Sequence, residues 1–241
     1  MMMSPKANIS MKHRDACLAS GIRRLVLRIW QCSVAVSCVF FTSPFICAAA
    51  DTAEKKGALL KSYDFSAGKL GKEFMVKRGK WKVEGGSLSA KEIKSQHHAA
   101  SCHLIQKTTD AVFEFRFKIT ADGAKINLGF NPAKNALDKV GHLHAVTISS
   151  KVVMMIMAPG KKKPKENPGA KLGRAEVKLK TNTWYQFKLV NIGDECRLSI
   201  DGKQLIVGKH ADIAVRKPII IFRAFGEGIR IDDIKVWEIK K

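Results

Sequence analysis

Acid is what this sequence lacks most plainly: 21 Asp and Glu stand against 43 Lys and Arg in 241 residues, a formal charge of +22 with histidine neutral. That excess attracts acidic partners and leaves the fold open. Cysteine is scarce where a secreted scaffold would need it. Cys17, Cys32, Cys38 and Cys47 all precede residue 50, and only Cys102 and Cys196 follow, so one disulfide at most can form. No segment of useful length carries a helical period, which argues against a helical domain. Beyond residue 50 there is no apolar run long enough to cross a bilayer. Internal repeats are absent as well, which excludes a solenoid.

The chain opens with what reads as an export signal. Basic residues Lys12, Arg14, Arg23, Arg24 and Arg28 precede an apolar run over 29–46, interrupted by Pro44 and followed by Ala48-Ala49-Ala50. This order of basic, apolar and small-residue regions predicts a secretory signal peptide over 1–50, cleaved after Ala50. Met11 heads a basic segment of its own and is an alternative start. Two other readings compete. An uncleaved anchor is opposed by Pro44 and the alanines; lipidation at Cys47 is opposed by Phe45-Ile46, where a small residue would be needed. The expected location is secreted, periplasmic or cell-envelope. Six Lys/Arg and one Asp lie in residues 1–50, so cleavage lowers the charge by only five. The partners expected there are acidic or sulfated carbohydrate or an anionic envelope surface, and not nucleic acid. No stable membrane span is expected after cleavage. A merely solvated basic surface is the competing explanation of the charge.

Residues 51–60 read as a short polar lead-in, and 61–241 as one domain of short strands. Over 112–119, Phe113, Phe115, Phe117 and Ile119 share one face and Glu114, Arg116 and Lys118 the other, the period of two of a half-buried strand. Asp122-Gly123 follows as an expected hairpin turn. Further strands are expected over 125–130, 142–149, 152–158, 184–190, 196–200, 204–207, 219–225 and 229–239, with Asp201-Gly202 as a second hairpin turn. The stretch 159–169 holds three prolines, two glycines and four lysines and reads as a loop, either solvated or a basic contact. Many short strands with Gly, Asp and Asn turns predict an all-β, antiparallel sandwich or barrel. Cys102 and Cys196 both fall in the apolar phase of their strands. A disulfide and two reduced core thiols are therefore both open.

Three motifs, in order, carry a resemblance. Trp81-Lys-Val-Glu-Gly-Gly-Ser-Leu resembles the opening of laminin-G-like and related concanavalin A-like domains. Thr183-Trp184-Tyr-Gln-Phe-Lys-Leu-Val with Leu198-Ser-Ile-Asp201-Gly202-Lys resembles their later hairpin. Ile229-Arg-Ile-Asp232-Asp-Ile-Lys-Val-Trp237 is similar to the last strand of family 16 glycoside hydrolases and of the 3-keto-disaccharide hydrolase domain family. The resemblance implies a concanavalin A-like jelly-roll sandwich of two antiparallel sheets, with sugars, when bound, lying across a concave face. It also implies a structural calcium joining the first strand to the last, with Asp232 as a ligand and Asp64 as its partner; a strand bend is the plainer role for Asp232 and Asp233. Trp81, Trp184 and Trp237 either pack the sandwich or stack on sugar.

The catalytic signature of family 16 is missing. Its Glu-x-Asp-x-(x)-Glu strand finds its nearest match in Glu114-Phe-Arg116-Phe-Lys118, where bases stand at the later positions and cannot act as nucleophile or acid. Outward residues of the phenylalanine strand and its expected neighbours define a candidate ligand cleft: Glu114, Arg116, Asn127 and Arg223, with Gly129 leaving room for a ring. Arginine and asparagine offer directional donors to hydroxyls, carboxylates and sulfates. An ordinary polar sheet surface is the alternative. His97, His98 and His103, and His142 with His144, have zinc-ligand chemistry but no sequence spacing that joins the groups. The function expected is a glycan-binding module without an evident catalytic centre. A glycoside hydrolase of the 3-keto-disaccharide type and a structural envelope protein are the alternatives.

Overall fold

The computed structural model describes residues 54–137 and 141–240. The signal-peptide segment over 1–50 lies outside the described residues. In chain order come β1 (Lys56–Tyr63), β2 (Phe74–Arg78), β3 (Lys80–Glu84), β4 (Ser87–Lys91), β5 (Ala100–Thr108), β6 (Ala111–Ile119), β7 (Lys125–Asn131) and β8 (His144–Ile148). Then follow β9 (Val152–Met157), β10 (Ala170–Glu176), β11 (Tyr185–Ile192), β12 (Glu195–Ile200), β13 (Lys203–Lys209), β14 (Lys217–Phe225) and β15 (Ile229–Ile239). All pairings are antiparallel. One sheet runs β13-β12-β11-β6-β15-β4-β3 with β1 also on β15; the other runs β10-β9-β8-β7-β14-β5-β2.

The alternation in β6 drives the packing. Phe113, Phe115, Phe117 and Ile119 are buried between the sheets, while Glu114, Arg116 and Lys118 look outward. Phe115 stacks on Phe187 of its own sheet, centroids 4.4 Å apart, and meets Phe222 of the other sheet edge-on at 5.6 Å. Phe113 reaches Phe130 of the other sheet at 4.8 Å. Burying each such side chain stabilises the fold by about 1.5–3 kcal/mol. The aromatics of two sheets therefore interlock into one core, as expected of face-to-face sheets.

Two expectations change, and the question left open about the cysteines is answered. The supposed lead-in contains most of β1, which pairs with β15 from Lys56↔Ile239 to Tyr63↔Ile234. Only Leu60 and Tyr63 of this strand pack against the core, so its sequence shows no clean alternation. Asp122-Gly123 is a turn but not a hairpin: the strand before it, β6, and the strand after it, β7, belong to different sheets. By contrast Asp201 and Gly202 have φ of 49° and 76°, the left-handed pair that a tight β12–β13 hairpin requires. Finally, Cys102 lies on β5 and Cys196 on β12, in opposite sheets, and both are buried free thiols. Burial pushes each thiol up to about 12, and Cys196 Sγ donates to Asn191 Oδ1 at 2.8 Å.

Candidate functional site

Charge is divided between the sheets. In the seven-stranded sheet the only acid within a strand is Glu176, at the end of the edge strand β10, and Arg174 holds it at 3.3 Å. The outward face of that sheet therefore presents no carboxylate along β5, β7, β8 or β14. Register sets its residues in rows across the strands. One row runs Met154, Thr147, Asn127, Arg223, Ser101; the next runs Ile156, Ala145, Gly129, Ile221, His103, Met75. These side chains point away from the core, yet Asn127 and Ser101 are 5% exposed, Ala145 7% and Ile221 0%. These short outward side chains lie beneath their longer neighbours as one enclosed strip of the sheet face, the recess.

A chain of hydrogen bonds crosses this strip. Arg223 Nη1 donates to Asn127 Oδ1 at 2.8 Å, and Asn127 Nδ2 donates to Thr147 Oγ1 at 2.9 Å. Arg223 Nη2 donates to His142 Nε2 at 2.6 Å. Because guanidinium can only donate, Nε2 is the acceptor and Nδ1 carries the proton, which His142 donates to Asn131 Oδ1 at 2.8 Å. Among the described residues, two of the five guanidinium N–H groups are thus engaged by side chains. Gly129 leaves room for it: a Cβ there would stand 3.2 Å from Arg223 Nη1, a tight contact.

The electrostatics have one sign. Burial lowers the His142 pKa to about 4, with the charges of Arg223, Lys161, His103 and His98 acting in the same direction. His103 is lowered by burial, then by Lys77 and Arg223. Arg223 is lowered by burial alone, and it forms no ion pair with any described residue. Among the described residues this half-buried guanidinium has an amide and a neutral imidazole as side-chain partners and no anion.

The four residues expected in one cleft do not meet. Asn127 and Arg223 form the recess; Glu114 and Arg116, on β6, lie on the outer face of the opposite sheet. Strand parity tells in from out but not which sheet a strand joins, and the sheet change after β6 separates the two pairs. Glu114 accepts from Lys56 Nζ at 2.6 and 2.7 Å and from Trp237 Nε1 at 2.9 Å. Arg116 lies over the Trp184 ring at 4.9 Å and 3.7 Å from Asp232. Trp184 and Trp237 are covered by cations on that face, Lys56 standing 5.0 Å from the Trp237 ring. Trp81 packs against the core and donates to the Arg78 carbonyl. None of these three tryptophans lines the recess. Phe225, on the Arg223 side of β14 and 36% exposed, is the exposed aromatic there.

Asp64 and Asp232, the expected calcium ligands, each have partners within the protein. Asp64 Oδ1 accepts from Ser66 N and Oγ at 3.0 and 2.8 Å, bonds that lower its pKa. Asp232 accepts from Asp233 N at 2.7 Å and faces Arg116. Calcium needs six to eight oxygens, and among the described residues no group of three His, Cys, Asp or Glu is placed to hold a metal. Of the candidate zinc histidines, His98 and His103 come close enough to His142 to help lower its pKa, whereas His144 is buried and stacked on Phe130 at 4.5 Å. Sequence reasoning missed the roles of Thr147 and Asn131, because only the β7–β8 pairing and the approach of His142 bring them to Arg223.

A cavity of about 940 Å³ lies elsewhere, where β10 and β13 meet; Val152, Leu179, Tyr185, Ile200 and Leu205 line it. It is mainly apolar. Its acids are engaged, Glu176 by Arg174 and Asp201 by the Gln186 N–H. Lys151, Lys178 and Lys203 line it together with these acids, so its charge is mixed, whereas the described groups around Arg223 include no acid.

No protein-family model matches this chain, and no curated protein matches it. Solved structures do. A Bacillus subtilis protein of unknown function with a galectin-like fold aligns at TM-score 0.60 and 12% identity, over 78% of this chain and 100% of that one. The laminarinase from Rhodothermus marinus aligns at TM-score 0.60 and 12% identity, over 76% and 98%. The fold is a concanavalin A-like jelly roll. A non-specific endo-β-1,3(4)-glucanase from family GH16 aligns in the same way, at TM-score 0.58 and 10% identity, over 78% and 95%. At these identities the likeness speaks for the fold alone.

Proposed function

We propose that this jelly roll is an exported module that binds acidic glycan in the recess of its seven-stranded sheet. The observation that carries the reading is Arg223: a half-buried guanidinium whose side-chain partners among the described residues, Asn127 and His142, are neutral and engage two of its five N–H groups. A uronate carboxylate or a sugar sulfate supplies the missing anion, held by a planar fork suited to it. Asn127 and Thr147 extend the polar floor toward sugar hydroxyls, and Phe225 offers one apolar surface at its end. The glycosidase alternative is disfavoured, since retaining hydrolysis needs two carboxylates about 5–5.5 Å apart and the outward face of β5, β7, β8 and β14 has none.

The test is titration of the purified chain with uronic and sulfated oligosaccharides and with neutral β-glucans. Acidic ligands are expected to bind and to weaken as salt rises; neutral ones are not. Arg223→Ala is expected to weaken acidic binding at least about tenfold with an unchanged circular dichroism spectrum, in line with loss of a buried charge-assisted contact. Equal binding of neutral and acidic glycans, or full retention by Arg223→Ala, would overturn the proposal.

A further inference from the structure

The recess does not end at His142. Asn131, which accepts from that imidazole, also lines a pocket of about 570 Å³ between the segment after β7 and the 159–169 loop. Lys134, Asn135, Lys162, Lys163 and Asn167 line it too, and no Asp or Glu is among its described lining residues. The volume falls within the range of small-ligand sites.

The walls are held by backbone bonds. Gly160 N donates to Asn167 O at 2.9 Å, Asn167 N to Lys163 O at 3.0 Å, and Ala133 N to Arg216 O at 2.8 Å. Gly160 is required at its place, because a Cβ would stand 2.9 Å from the Cβ of Asn167. Of the three lysines only Lys163 has an acidic partner, Glu166 at 2.8 Å. Lys134 and Lys162 have none among the described residues. Lys161, on the same loop, packs beside Gly141 and adds its charge to those acting on His142. Positive charge therefore stands at Arg223, at Lys161 beside the neutral His142, and again in the pocket at Lys134 and Lys162. Like charges gathered this way repel one another and persist at a cost that a bound polyanion relieves.

We propose that this pocket is a second anion subsite, so that the ligand is a glycan with acidic groups on at least two residues, one at Arg223 and another against Lys134 and Lys162. Asn131 and Asn135 line the same pocket, and amides suit sugar hydroxyls. The inference rests on the acidic-glycan reading of the recess and adds a direction and a minimum length to it. The proline- and lysine-rich loop, which sequence left between solvated insertion and basic contact, becomes a wall of the binding site.

Oligogalacturonates from one to six residues, titrated against the purified chain by calorimetry, test the subsite. Affinity of the wild type is expected to rise at least tenfold once the oligomer spans both anion positions. Lys134→Ala/Lys162→Ala is expected to bind the shortest ligands as the wild type does and to lose that rise. Lys69→Ala/Lys178→Ala removes the same charge elsewhere on the surface and is expected to keep it. Loss of the rise in both double variants would assign the effect to net charge and overturn the subsite. Retention of the rise in Lys134→Ala/Lys162→Ala, with binding abolished in Arg223→Ala, would overturn the subsite and leave the recess standing. Failure of the wild type to bind any acidic oligomer of any length would overturn the recess itself. Both lysines are exposed, so the variants are expected to fold.

Discussion

Arg223 and His142 define each other's state. The guanidinium takes the Nε2 lone pair of His142, and burial with surrounding positive charge holds the imidazole neutral, down to about 4. The consequence for stability has a definite sign. Between about pH 6.5 and 4 the unfolded histidine gains a proton that the folded one refuses, so stability falls as pH drops through that window and is insensitive to this group above it. His142→Gln retains an acceptor for Arg223 and has nothing to titrate. Urea midpoints of the wild type are expected to fall further between pH 7 and pH 4.5 than those of the variant; parallel profiles would show that His142 is not held neutral. His142 stood out in the sequence only as a possible metal ligand. Its partner was unreadable, because Asn131 and Arg223 reach it from β7 and β14, far apart in the chain.

Individual strands were legible where burial is one-sided. The alternation of β6 and the continuous apolar stretch of β14 follow from which atoms must leave water, and the structure keeps both. Phe115 anchors the first: wholly buried, stacked on Phe187 and edge-on to Phe222. Phe115→Ala is expected to cost about 3–5 kcal/mol in chemical denaturation, and a loss below about 1 kcal/mol would contradict this packing. The polar strand β1 escaped notice because it lies beside β15 with two residues on the core and the rest near solvent. The two Asp-Gly turns look alike in sequence. One closes the β12–β13 hairpin and the other passes the chain from sheet to sheet, a choice made by where β7 finds partners rather than by the turn residues.

For the whole molecule the decisive property is the separation of charge, with nearly all strand acids in the sheet that includes β6 and β15. Both cysteines are buried on opposite sheets, and Asp64 and Asp232 are held by Ser66, Asp233 and Arg116. Neither reductant nor chelator is therefore expected to shift the thermal midpoint, and both thiols are expected to react with a thiol reagent only on unfolding; a drop of several degrees with chelator would restore a metal to the fold. The amino-acid sequence by itself determined the all-β class, the inward phenylalanines, the surplus of base and the absence of a paired-carboxylate strand, because each depends on residue type and short-range spacing. Only the tertiary structure decided that Glu114 and Arg116 turn away from Asn127 and Arg223, and that His142 and the lysine loop join the latter. Those outcomes depend on which strands pair across the sandwich, a long-range choice that period-two patterning does not encode.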